Sequence, residues 1–200
     1  MKTIGKYWND IILQASGNSI AQIIGILGMP ILTRLYTPED FAVQTIFIQI
    51  VTFLAGFVSL RYEYFIPLTK SKNESMTIMK FICLHGMKAV SLSLLTMYVL
   101  ERAGALDFVR SNNVYIFYVA PIAAYAISIS LLFQHEAQRQ NNFSESAKSE
   151  INGKLFYILS GIALSIFKSN IGLVLTTPFG AIGKIFYLKK YVRTFLSDFR

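Results

Sequence analysis

Six apolar stretches, joined by short polar connections, run almost the whole length of this chain: Ile11–Leu32, Phe41–Leu60, Thr77–Leu100, Val114–Phe133, Ile151–Phe167 and Ile171–Leu188. The first four match the roughly 20 residues that an α-helix needs to cross hydrocarbon. The fifth is shorter and carries Lys154. Composition agrees, because only 15% of the 200 residues are charged, against about 25% in a soluble domain. The expected fold is all-α: one polytopic membrane bundle of six transmembrane helices spanning residues 1–200. No convincing small-x-small cleavage site accompanies the first stretch, which reads as an uncleaved helix rather than a signal peptide.

The net charge of +8 does not point to nucleic acid, since the cations flank apolar blocks instead of clustering on a soluble face. They report topology. Lys2, Lys6, Arg61, Lys70, Lys72, Arg139, Lys148, Lys154, Lys189, Lys190, Arg193 and Arg200 fall on one side of the expected spans. Arg34, Arg102, Arg110 and Lys168 fall on the other, and Lys80, Lys88 and Lys184 lie inside spans. Twelve cations against four place both termini in the cytoplasm. The basic, amphipathic tail after Leu188 is expected to lie along the inner leaflet.

Local signals mark the connections. Thr37 suits an N-cap, Pro38 the first helical position, and Glu39 and Asp40 the positive end of the helix dipole. Thr33–Thr37 therefore reads as a tight turn closing a helical hairpin. The polar stretch Gln134–Ser149 extends the fourth and fifth helices and is too short for a domain. Pro121 and Pro178 should bend the fourth and sixth helices. Tyr118, Tyr125 and Ser128 share a face with Pro121, fit for stacking sugars or for plain packing.

Catalytic and metal chemistry find little support. The single cysteine, Cys83, excludes an internal disulfide, and the chain has only two histidines, His85 and His135. No nucleotide-binding, metalloprotease or nucleophile-elbow motif occurs, so neither an enzyme nor a cofactor is expected.

Polar groups inside the spans are the candidate site. Gln14, Asn18 and Gln22 recur every four residues on one face of the first helix, with Gly25 on the same stripe. Amides in hydrocarbon need partners, so this face either bonds to other helices or lines a wet cavity. Gly17, Ala21 and Gly25 form a small-residue ridge that admits a close neighbour. Lys88 sits near the middle of the third span, where insertion costs roughly 2.5–3.5 kcal/mol. It is a candidate cavity cation for an anionic ligand, unless it snorkels. Arg61, closing the second helix beside Tyr62 and Tyr64, is an interfacial anchor or a phosphate contact.

The segments GNSIAQIIGILGMPILTRLYTPEDFA and LRYEYFIPL lie between Gly17 and Leu68, with ILTRLYTPEDF the most specific part. This region resembles the start of a Wzx-type oligosaccharide flippase, in the polysaccharide branch of the multidrug/oligosaccharidyl-lipid/polysaccharide exporter superfamily. Relatives commonly have Gly where this chain has Ala42. The resemblance implies a protein of the bacterial inner membrane. It would pass polyprenyl-pyrophosphate-linked oligosaccharide, an O-antigen or capsule repeat unit, from the cytoplasmic to the outer leaflet. Members resemble two six-helix bundles around an alternately opening cavity, so six spans correspond to a partial or truncated flippase working with a second half or as a homodimer. Arg34, Arg61 and Lys88 are the cations that the resemblance would set against the pyrophosphate, with Arg34 in the turn. Partners implied are the lipid-linked oligosaccharide, membrane lipids and polysaccharide assembly proteins, with no nucleic acid. Two other readings stand beside it. Half of a multidrug or metabolite exporter would need an intramembrane acid, and none of the eleven Asp and Glu residues is clearly mid-span. A membrane scaffold in polysaccharide assembly would need neither Lys88 nor the first-helix amides.

Overall fold

A computed structural model describes residues 2–104, 115–167 and 170–199, and every element among them is helical. In chain order these are α1 (Lys2–Leu35), α2 (Pro38–Ser59), a 3-10 segment (Tyr62–Leu68), α3 (Lys72–Arg102), α4 (Tyr115–Arg139), α5 (Phe143–Leu164) with a final 3-10 turn (Ser165–Phe167), α6 (Asn170–Tyr187) and α7 (Lys189–Phe199). Four of them are long and apolar enough to cross a membrane, through Ile11–Leu35, Pro38–Ser59, Lys72–Arg102 and Tyr118–Arg139. The pair α6 and α7, bent by 76° at Leu188, makes a fifth if taken as one broken span. The fifth apolar stretch, with Lys154 near its start, covers the later part of α5 and the 3-10 turn, and the earlier part of α5 carries Glu145, Lys148 and Glu150. Val114, Arg110, Lys168 and Arg200 lie outside the described residues.

Start chemistry at α2 follows the sequence. The Thr37 hydroxyl accepts from the Asp40 backbone N–H at 3.3 Å, and the Asp40 carboxylate accepts from the Thr37 N–H at 2.8 Å. The turn is tighter than Thr33–Thr37. Tyr36 N–H still bonds Leu32 O at 3.0 Å, so α1 stays helical through Leu35 and carries Arg34 in its last turn. The chain leaves the helix at Thr37 (φ −81, ψ 162), as the residue before a proline must. Removing this reciprocal cap by Asp40→Ala should cost about 1 kcal/mol, read as a lowered thermal midpoint in detergent, while Asp40→Asn should retain part of it.

At its other end α2 stops without glycine. Leu60 (φ 48) and Arg61 (φ 60) are both left-handed, with the Arg61 N–H bonded to Ser59 Oγ at 3.2 Å. This double reversal drops the chain into Tyr62–Leu68, whose Ile66 is fully buried beside Met79, Ile82 and Leu132.

Neighbouring contacts show the helix directions. Gly17, Gly25 and Gly28 of α1 face Ala147, Lys154 and Ile158 of α5 in rising order, so these two run parallel. Asn152 of α5 donates to Gly183 O of α6 at 2.6 Å, while Gly161 meets Thr176, so that pair is antiparallel. Ser75 near the start of α3 bonds Glu136 near the end of α4, and Glu101 at the end of α3 bonds Tyr118 near the start of α4. Direction thus alternates along the chain. Arg61, Lys70, Lys72, Arg139, Lys148, Lys189, Lys190 and Arg193 gather at one end of the bundle, and Arg34 and Arg102 at the other.

Packing inside such a bundle cannot lean on the hydrophobic effect, because lipid tails are as apolar as leucine. Close approach and buried hydrogen bonds replace it. The small-residue ridge of α1 lies directly on α5, where a Cβ at Gly17 would fall 2.3 Å from Ala147 Cβ. Gln44, 4% exposed, places its amide nitrogen 2.7 Å from Tyr157 OH, 3.1 Å from Leu173 O and 3.2 Å from Thr176 Oγ1, tying α2 to α5 and α6. Helix α4 is the most enclosed, with 50% of its apolar window buried against 22% in α1, α2 and α3. Both α4 and α6 remain helical through Pro121 and Pro178.

Candidate functional site

Where α1, α5 and α6 meet, with α2 and α4 behind them, they leave a cavity of about 850 Å³. Its polar lining comes chiefly from Asn18 and Gln22 of α1, Glu150 and Lys154 of α5, and Thr177 and Lys184 of α6, with Ser130 of α4 and the Tyr157 ring beside them. Helical spacing explains why they converge. Glu150 and Lys154 lie one turn apart on one face of α5, as do Asn18 and Gln22 on α1, and Thr177 and Lys184 lie two turns apart on α6.

Missing side chains make room for the lysines. A Cβ at Gly25 would fall 2.5 Å from Lys154 Cε, and one at Gly153 would fall 2.5 Å from Lys184 Cγ. Glycines on the helix seams therefore serve as slots through which the two aliphatic stems pass to reach the cavity. The ammonium of Lys154 rests 4.8 Å above the Tyr157 ring, a favourable cation–π position. That of Lys184 pairs with Glu150 at 2.8 Å, both side chains being about three-quarters buried. The same carboxylate oxygen accepts from Gln134 Nε2 at 2.9 Å. Two cations against one carboxylate leave a single positive charge in excess among the polar lining residues.

Some polar atoms here have no protein partner. Thr177 Oγ1, in the lining, is buried without a hydrogen bond, as are Gln134 Oε1 on α4 and Gln14 Oε1 on α1, neither of which lines the cavity. Buried acceptors and hydroxyls of this kind seek donors, and a ligand rich in hydroxyls supplies them. Among the described residues no three His, Cys, Asp or Glu side chains converge as a metal site would need.

The residues singled out by sequence are dispersed. Asn18 and Gln22 line the cavity, and Gln14 lies half-buried one turn before them without lining it. Lys88 is exposed on the outer face of α3, beside exposed Leu84, Met87 and Leu92, and does not line the cavity. Arg61 is exposed at the basic end, its guanidinium donating to Tyr64 OH at 3.4 Å. Arg34 is exposed at the opposite end. Sequence reasoning passed over Glu150, Lys154 and Lys184. A signal existed: each sits in register with small or polar residues on one helical face, which is the pattern of a cavity lining rather than of lipid contact. Comparison of this chain with protein-family profiles, with curated proteins and with solved structures finds no match.

Proposed function

We propose that this chain is one bundle of a translocator carrying polyprenyl-diphosphate-linked oligosaccharide, such as an O-antigen or capsule repeat unit, across a bacterial inner membrane. The cavity carries this reading, because it joins two lysines and one glutamate to two amides and the unpartnered Thr177 hydroxyl. Neither a diphosphate nor sugar hydroxyls enter hydrocarbon without replacement of their water. Lys154 and Lys184 offer the charge, while Asn18, Gln22 and Thr177 offer the hydrogen bonds. The prenyl tail stays in lipid.

The proposed topology has six passes and cytoplasmic termini. Its support is the alternation of helix direction and the gathering of cations at one end. A second half, or a second copy, would close the cavity from the open side and alternate its access.

Lys154→Gln and Lys184→Gln should each weaken binding of a polyprenyl-diphosphate sugar to the purified chain by about tenfold, the value of one charge-assisted hydrogen bond. Both should also lower surface polysaccharide in a bacterium lacking its own flippase for one glycan, supplied with the chain and with the second half it needs. Unchanged binding in both variants would sink the reading. One observation favours an exporter of the same superfamily instead, namely the carboxylate of Glu150 in the cavity. Glu150→Gln separates the two. It frees Lys184 and should leave diphosphate binding equal or tighter in the translocator, whereas an ion-coupled exporter loses transport with the acid.

A further inference from the structure

Helix α7 does not simply trail along a membrane surface. It folds back across the basic end of the bundle, burying Tyr191 and Phe195. The Tyr191 hydroxyl donates to Glu145 at 2.6 Å and accepts from Asn142 Nδ2 at 2.7 Å, pinning α7 to the α4–α5 connection. Its far end reaches α3. There Asp198 pairs with Lys72 at 2.5 Å, and the Phe199 ring lies 5.3 Å from the Lys80 ammonium.

Between these contacts lies a polar cleft of about 340 Å³, lined by Lys72, Asn73, Met76, Thr77, Lys80 and Asp198. A second, mainly apolar groove of about 560 Å³ runs along the adjacent face of α3, lined by Tyr62, Phe65, Leu68 and Ile78, with Glu74 the one charged residue in its lining. Thr77 borders both. Two lysines beside an amide on one flank, and aromatic and aliphatic side chains on the next, match the two parts of an amphiphile. Asp198 already places a carboxylate against the cation that a lipid phosphate would seek.

We propose that this double cleft is a site for an anionic phospholipid, with its phosphate between Lys72, Asn73 and Lys80, and one acyl chain along Tyr62, Phe65 and Ile78. Asp198 occupies the phosphate position from within, so the lipid and the end of α7 compete for Lys72. The site lies apart from the α1–α5–α6 cavity and does not rest on what that cavity transports.

The test is native mass spectrometry of the full chain from detergent supplemented with phosphatidylglycerol or phosphatidylcholine. We expect selective retention of phosphatidylglycerol, reduced about fivefold for each of Lys72→Gln and Lys80→Gln, the worth of one cation near an anionic lipid. Asp198→Asn removes the internal competitor without removing a cation, so it should raise retention. Headgroup-blind retention, insensitivity to both lysine substitutions in folded protein, or reduced retention in Asp198→Asn would each overturn the site. So would equal displacement by millimolar inorganic phosphate, which would mean that the cations bind free phosphate and the apolar groove contributes nothing.

Discussion

Glu136→Ala is expected to destabilise the bundle by about 3 kcal/mol, one of the largest single-residue losses in this chain. The carboxylate, on α4, accepts from Ser75 Oγ at 2.6 Å, from Arg139 at 2.7 and 2.8 Å, and from Gln140 at 2.7 Å. Its side chain is 9% exposed and that of Arg139 14%. Such a pair adds little over an apolar replacement of both partners, but removing one leaves a buried guanidinium without an anion. The Ser75 hydroxyl also loses its tie across to α4. Cys83, the single cysteine of the chain and half-buried on α3, reports the loss as earlier reaction with a thiol dye on heating. Glu136→Gln keeps acceptors for Ser75 and should lose less. A thermal midpoint unchanged in Glu136→Ala would mean that this network contributes nothing to the fold.

Gly17→Leu is expected to cost roughly as much by another route, overpacking. Ala147 Cα would lie 2.8 Å from the new Cβ, and backbone cannot rotate aside. The helices must separate along a seam that continues through Gly25 and Gly28, so the disturbance reaches Lys154. A paired change tests the cause: Ala147→Gly should recover part of the stability lost in the smaller substitution Gly17→Ala, because the closest atom is the Ala147 methyl. Absence of any recovery would place the strain elsewhere. Leu at Ser19, an exposed position on the same helix, is the control and should be close to neutral.

These expected losses come from close contacts and buried polar bonds, which is where a helix bundle in lipid must find its stability. Glycines on the helix seams also differ in purpose. Gly17 brings backbones together, whereas Gly25 and Gly153 admit lysine stems into the cavity. A glycine count along the chain does not separate these uses, since both satisfy the same small-residue spacing.

The cavity was half legible. The amide stripe of α1 pointed at it, because polar groups repeating every four residues in an apolar helix must face something polar. Lys88 drew attention for the same reason, yet it lies on the outer face of α3. Its position in a span is a local property, while the direction its helix turns depends on how α3 packs against α2 and α4. Lys154 reads in sequence as one of the topology-setting cations, and Lys184 as a cation inside the sixth span near its end. Only the docking of α5 against α6 brings Lys184 to Glu150, thirty-four positions away in sequence.

What the sequence alone determined is whatever depends on short range: helical class, the apolar lengths, the Thr37 cap, and the alternation that sorts cations to two ends. Hydropathy and capping act over a turn or two, so single residues suffice to read them. Tertiary structure decided the parallel seating of α1 on α5, the fold-back of α7, and which charged residues share the cavity. Each of these hinges on contacts between segments far apart in the chain. Among helices of similar apolarity, those contacts are selected by which small residues and buried polar groups happen to fit one another.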